Sequence, residues 1–313
     1  MMKKFLKKFL WTIFIFFILV NFISATNAYK FTHFYDPGEV VIKPENKKTT
    51  FDHIGDIIFG KDYVKKKNGP LPDSFSNVTI TTKNNIELAG WYAQAKNSLG
   101  SVALFHGYGN NKTDVLLEGK SFLSMGFNVL LLDFRGEGSS SGNTCTIGYQ
   151  EAEDVELAYN FLKNKGAKNI VLWGISMGAA AVARSVYEYK LQPSKVILEM
   201  PFATMQDAVE GQLRTMHLPD EPLGFLLTFW GGIEHGFWAF TINPDKYVES
   251  IHCPVLLQVG AHDVRVAPIE RKEVYENLNE PKHLVIYDNS GHESLCKKEH
   301  LKWLASVSAF LIS

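Results

Sequence analysis

Cysteine is scarce in this chain: Cys145, Cys253 and Cys296 are the three in 313 residues. They show no C-x-x-C spacing and their number is odd, which excludes a disulfide framework and leaves them as small apolar residues. A surplus of one charge is also missing. The net charge of −1 excludes a surface built to neutralise phosphates, so nucleic acid is not an expected partner. Internal repeats and low-complexity tracts are absent. The Gly-rich stretch "LLDFRGEGSSSG" lacks the Gly-Lys-Ser/Thr ending of a phosphate-cradling loop. What is present in ordinary measure is apolar material, 46% of the residues, enough for one domain of about 250 residues plus additional segments.

One apolar run stands apart. Lys3, Lys4, Lys7 and Lys8 precede "FLWTIFIFFILVNFI" (9–23) and the small, polar "SATNA" (24–28). A positive start, an apolar stretch and a small-residue exit have the layout of an export signal. The run is slightly short of the roughly 20 residues of a full span, so residues 1–28 are read as either a cleaved signal peptide or a retained membrane anchor. No lipidation cysteine lies beside it. In both readings the lysines stay inside and the bulk of the chain is exported, periplasmic or otherwise extracytoplasmic. Residues 29–74 are Lys-rich and poorly periodic and read as a connector, from which Phe51, Ile54, Ile57, Ile58 and Phe59 are expected to dock on the main body.

From residue 75 the rhythm changes. "NVTITTKNNIELAGWYAQA" alternates around Lys83-Asn84-Asn85 and predicts a hairpin. Short continuous apolar runs follow at 101–105, 128–133, 169–173, 195–199, 254–259 and 283–287. Helical stretches near 113–125, 149–164, 177–189, 268–278 and 294–311 lie between or after them. Continuous apolarity means strands buried on both faces, and the alternation is that of an α/β fold with helices on both sides of a mostly parallel sheet. Residues 203–250 are too long for a loop and too apolar for a surface excursion, so they are read as a lid. Phe202 and the lid aromatics Phe225, Phe229, Trp230 and Trp238 are the expected pocket residues.

The chemistry centres on "NIVLWGISMGAAAVA" (169–183), where a lone hydroxyl sits between glycines as strand composition turns into helix composition. A tight strand-to-helix turn exposes Ser176 beside helix N-terminal amides. A serine needs a base for its proton and an acid to orient that base. Asp263 follows the run 254–259 and His292 follows 283–287, the loops such a triad requires. The backbone amides of Tyr108, in "LFHGYGNN", and of Met177 are the expected oxyanion donors. His106 is read as a loop-shaping residue, and Asp133 and Arg135 as an internal ion pair bracing their loop. His262, Asp288, Glu293, His235 and Cys296 are assigned structural or surface roles.

His-Gly-Tyr-Gly, Asp-Phe-Arg-Gly-Glu-Gly-Ser-Ser-Ser-Gly, Gly-Ile-Ser-Met-Gly, Gly-Ala-His-Asp and Ser-Gly-His, in this order and spacing, resemble the α/β-hydrolase superfamily. The similarity is to its serine-aminopeptidase/monoglyceride-lipase-like branch and related membrane-tethered proteins, and spans about residues 75–313. The resemblance implies an eight-stranded, mostly parallel sheet, a serine triad, a lid between the sixth and seventh strands, and neither cofactor nor metal. Glu137, where many relatives carry His or Tyr, and Met200, where many carry Ser, depart from the pattern. The expected function is hydrolysis of a carboxylic ester or thioester with an apolar acyl group through an acyl-enzyme on Ser176. The alternatives are a serine aminopeptidase gripping the substrate amine with Glu199, Glu221 or Glu234, and a catalytically idle membrane-tethered binding module.

Overall fold

The computed structural model describes residues 2–312. Eight strands form one sheet: β1 (Ser76–Thr81), β2 (Glu87–Ala93), β3 (Gly100–Phe105), β4 (Phe127–Leu132), β5 (Ile170–Ile175), β6 (Lys195–Glu199), β7 (Val255–Gly260) and β8 (Lys282–Tyr287). Their spatial order is β8-β7-β6-β5-β3-β4-β2-β1. β1 and β2 pair antiparallel, as do β2 and β4, and every other pairing is parallel. The apolar runs account for this order. All six residues of β7 are buried, as are Ile170 to Gly174 of β5, because helices cover both faces of the central strands. At the edges the burial lapses: β1 and β8 each bury a single residue.

Eleven α-helices are present among the described residues. The sheet is flanked by α3 (Leu116–Ser124), α4 (Glu151–Asn164), α5 (Met177–Tyr189), α9 (Pro268–Asn277), α10 (Leu295–Lys298) and α11 (His300–Ile312). The expected helix 294–311 is thus two helices broken at Glu299, whose carboxylate accepts hydrogen bonds from Asn289 N at 3.0 Å and Ser290 Oγ at 2.7 Å. Between β6 and β7 lie α6 (Met205–Thr215), α7 (Leu223–Glu234) and the short α8 (Pro244–Tyr247). All three cysteines are free.

α1 (Met2–Thr32) is one continuous helix that runs past the boundary expected at residue 28. At 1.5 Å per residue its 31 residues span about 46 Å, and it is long and apolar enough to cross a bilayer. Within the expected connector, α2 (Thr50–Phe59) starts at a capping box in which Thr49 and Asp52 satisfy each other's backbone amides. α2 packs on α1; of the residues expected to dock on the main body, Phe51, Ile54, Ile57 and Phe59 are exposed and Ile58 is half-buried. The adjoining chain pairs Phe34–Tyr35 with Tyr63–Val64 in a two-stranded parallel ribbon.

Close approach of backbone explains the glycines around Ser176. A Cβ at Gly174 would lie 2.4 Å from the Gly178 carbonyl oxygen, and one at Gly178 would lie 2.2 Å from that of Phe105 on β3. Neither contact is with a flexible side chain. Gly178→Ala is therefore expected to cost about 1–3 kcal/mol as an overpacked core site. Differential scanning calorimetry should show the midpoint falling by at least about 2 °C; an unchanged midpoint would contradict the packing described.

Candidate active site

Ser176 lies between β5 and α5 with φ 54° and ψ −116°, a conformation that non-glycine residues seldom adopt. Its amide donates to the Glu199 carbonyl at the end of β6, at 2.8 Å, which fixes the turn from the neighbouring strand. The base and acid come from the loops after β8 and β7. These loops are joined by amide bonds from Ala261 to Tyr287 O (2.8 Å) and from His262 to Ser290 O (2.9 Å). Glu299 holds the second loop from below through Asn289 and Ser290.

The structure brings the three expected residues together. His292 Nε2 is 2.9 Å from Ser176 Oγ, and His292 Nδ1 is 2.8 Å from Asp263 Oδ2. Asp263 Oδ1 accepts amides from Arg265 at 2.8 Å and Val266 at 3.0 Å. Burial alone would raise the Asp263 carboxyl. The hydrogen bond and charge of His292, with the two amides, outweigh it and hold the group below its ordinary value. An ionised carboxylate accepts only, so the hydrogen bond to Asp263 is donated by the Nδ1–H of His292.

The turn carrying Tyr108 adjoins this line. A Cβ at Gly107 would sit 3.5 Å from Ser176 Cβ. His106 is buried, donates from Nδ1 to Gly107 O at 2.8 Å and accepts the Phe134 amide at Nε2, 3.1 Å, so it shapes the loop as a neutral ring. Among the described residues neither the Tyr108 nor the Met177 amide bonds to a backbone carbonyl outside a helix or strand. Glu137 was an unassigned departure in the sequence. It is buried, accepts the Gly109 amide and so supports the Tyr108 turn, and burial raises its carboxyl well above its ordinary value.

Other expectations change. Asp133 and Arg135 do not pair with each other: Asp133 binds Lys112, whereas Arg135 binds Asp154 at 2.6 Å and Glu153 at 2.7 Å. Lys112 and Asp154 each lie about twenty residues away along the chain, and only the fold brings them close. His262 is exposed and contributes its backbone; Asp288 and Glu293 make surface ion pairs with Lys302 and Lys298. Cys296 is buried beside Ser121, and His235 stacks on His33. Glu199, one candidate for gripping a substrate amine, is fully buried, and its Oε1 accepts the indole N–H groups of Trp173 at 3.0 Å and Trp303 at 2.6 Å.

A cavity of about 480 Å³ lies between α1, α2, α6 and α7; neither the expected pocket residues Phe202, Phe225, Phe229, Trp230 and Trp238 nor Ser176, Asp263 and His292 line it. Phe202 is in the core, while Phe225 and Trp238 are 47% and 52% exposed. The reason is the orientation of α7. Its buried face is Gly224, Thr228 and Gly232, small residues set against Glu210 and the Phe237–Ala239 backbone, which leaves the Phe225 ring outside.

A family model described as serine aminopeptidase, S33, matches residues 96–223. YqkD of Bacillus subtilis, an uncharacterized protein, is 27% identical over 236 residues, 74% of this chain and 77% of that protein. The lysophosphatidylserine lipase ABHD12 of Danio rerio is 29% identical over 219 residues, covering 66% of this chain and 53% of that protein. Among solved structures, the Pyrococcus furiosus esterase Pf2001 superposes with a TM-score of 0.65 at 26% identity, over 79% of this chain and 97% of that one.

Glu199 provides a pH test of the scaffold under the serine. Burial, reinforced by Glu118 and opposed by the indole bonds, raises its pKa from 4.5 to about 8. Between those values the native state keeps a proton that the unfolded chain releases, so this group removes stability as pH rises through the window. Glu199→Gln carries no such proton. Its melting temperature relative to the parent should therefore be higher at pH 8 than at pH 5, and an equal difference at both pH values would refute the assignment.

Proposed function

The chain belongs to the α/β-hydrolase superfamily, and from that premise we propose that it is a serine esterase acting on a carboxylic ester or thioester with an apolar acyl group. The observation that carries the proposal is the continuous hydrogen-bonded line from Ser176 Oγ through the His292 ring to Asp263. Ser176 Oγ attacks the carbonyl carbon as its proton passes to His292 Nε2, and Asp263 stabilises the imidazolium. The amides of Tyr108 and Met177 receive the oxyanion; among the described residues no backbone carbonyl outside a helix or strand competes for them. Collapse expels the alcohol or thiol, which takes the proton from His292. Water, deprotonated by the same ring, then releases the acid and restores the serine.

The apolar acyl preference is supported by the cavity, lined mainly by aliphatic and aromatic side chains. An aminopeptidase needs an acidic group open to the substrate amine; Glu199 is closed off by two indoles, whereas Glu221 and Glu234 are exposed and keep that reading as the one the anilide assay below must answer. An idle binding module has no physical need for all three hydrogen-bonded groups. For the membrane side, Lys3, Lys4, Lys7 and Lys8 at the start of α1 favour an extracytoplasmic body.

Hydrolysis of p-nitrophenyl esters of graded chain length, run beside aminoacyl-anilides, tests this function. Ester turnover should fall about 10³-fold or more in Ser176→Ala, and a fluorophosphonate probe should label the parent and not the variant. Anilide cleavage without ester turnover would replace the esterase reading with a peptidase.

A further inference from the structure

The inner part of α1 is wired into the body of the enzyme. Ser24, Ala28 and Thr32, four residues apart, are its buried face, and the helix runs against α7 and α2. Trp230 Nε1 on α7 donates to Asn21 Oδ1 at 3.2 Å. Thr26 Oγ1 and Asn27 Nδ2 donate to the carbonyls of Ile58 (2.7 Å) and Ile57 (2.9 Å). These are last-turn carbonyls of α2, with no partner inside their own helix, so α1 side chains cap α2. A leader needs charge, an apolar run and an exit. None of those tasks calls for caps on a neighbouring helix.

The same stretch encloses the 480 Å³ cavity. Ile23, Ser24, Ala28 and Phe31 line it from one side, with Met205 of α6 and Leu227 of α7 among the opposing residues. The volume lies within the roughly 300–1,000 Å³ of small-molecule sites. Of the two proposed oxyanion residues, Tyr108 is one contact from its wall and Met177 is two. The Phe31 ring stacks on Tyr108 at 4.5 Å and the Tyr108 hydroxyl donates to Phe31 O, while Cys145, next to the lining residues Thr146 and Ile147, has Sγ 3.4 Å from Met177 Sδ. The rim continues into exposed apolar surface beside α1: Ile57 lines the cavity yet is 65% exposed, and Phe59 meets Phe22 edge-on at 6.3 Å.

We propose that residues 21–32 of α1 are a permanent wall of the acyl site: the acyl chain of the ester lies in the cavity between α1, α2, α6 and α7, entering from the bilayer that α1 crosses, and the chain is not processed behind residue 28. This rests on the serine-esterase reading and adds the acyl subsite to it. Cleavage behind Ala28 would delete Ile23, Ser24, Asn27 and Ala28 from the wall and uncap α2.

The intact mass of full-length protein recovered from membranes should include residues 1–28; a chain beginning at Tyr29 overturns the proposal. Gly231 lines the cavity and has open space where a Cβ would stand, so Gly231→Phe should fill it. In detergent micelles this variant should lower the ratio of kcat/KM for p-nitrophenyl dodecanoate to that for the butyrate by roughly tenfold or more. Leu227→Ala, which enlarges the same space, should shift preference toward hexadecanoate. Fluorophosphonate labelling separates the failures. If parent and variants are labelled and the chain-length ratios do not move, the acyl subsite is wrong and the serine reading stands. If the parent is not labelled, the serine reading fails and takes this proposal with it.

Discussion

The constraint on which the site depends is the strained turn at Ser176. A residue with a side chain held at φ 54° costs about 1–3 kcal/mol, and it persists only where its surroundings leave no alternative. Here three restraints act together. Gly174 and Gly178 let strand, turn and helix close to contact distances that any side chain would forbid. The Ser176 amide is held by the Glu199 carbonyl. The Glu199 side chain is in turn clamped by Trp173 of β5 and Trp303 of α11, so the residue that receives the turn is itself fixed from both sides. Met200, immediately after it, also has a positive φ of 48°, and strain therefore gathers on two adjacent strand ends.

The His292 line is assembled differently. No strained residue is needed there, because two loops are zipped by backbone bonds and a helix break supplies the remaining anchor. Glu299 interrupts what would otherwise be one C-terminal helix and uses its carboxylate to hold Asn289 and Ser290, three and two residues before His292. A buried acidic side chain serves a similar purpose at the Tyr108 turn, where Glu137 takes the Gly109 amide. The groups proposed to react are thus positioned by acidic side chains that do not themselves face the serine.

What could be read from the sequence follows from which features are local. Buried parallel strands need short continuous apolar runs, and six such runs announced β3 to β8 within a residue or two. Ser176, Asp263 and His292 were legible because each sits at a strand end in a recognisable turn. The pairing of Arg135 with Asp154 was not, since two nearby charges in a loop look like natural partners and the true one lies on α4. Glu137, Glu199 and Glu299 were equally silent, because a carboxyl's role is set by burial and by donors from distant elements. The outward setting of Phe225 was hidden for a related reason. α7 is apolar around most of its circumference, so periodicity does not show that its inward face is the small one.

The N-terminal segment shows the same ambiguity in its sharpest form. Small and lightly polar residues after an apolar run are what a processing site looks like, and they are also what a helix needs in order to lie close against neighbours. Ser24, Thr26, Asn27 and Ala28 satisfy both descriptions. Only the fold separates them: Ser24 and Ala28 are buried, and Thr26 and Asn27 reach carbonyls of a helix more than twenty residues further on. Composition alone leaves a cleaved leader and a retained anchor both open, while the contacts set this stretch in the wall of a cavity one side chain away from the proposed oxyanion turn.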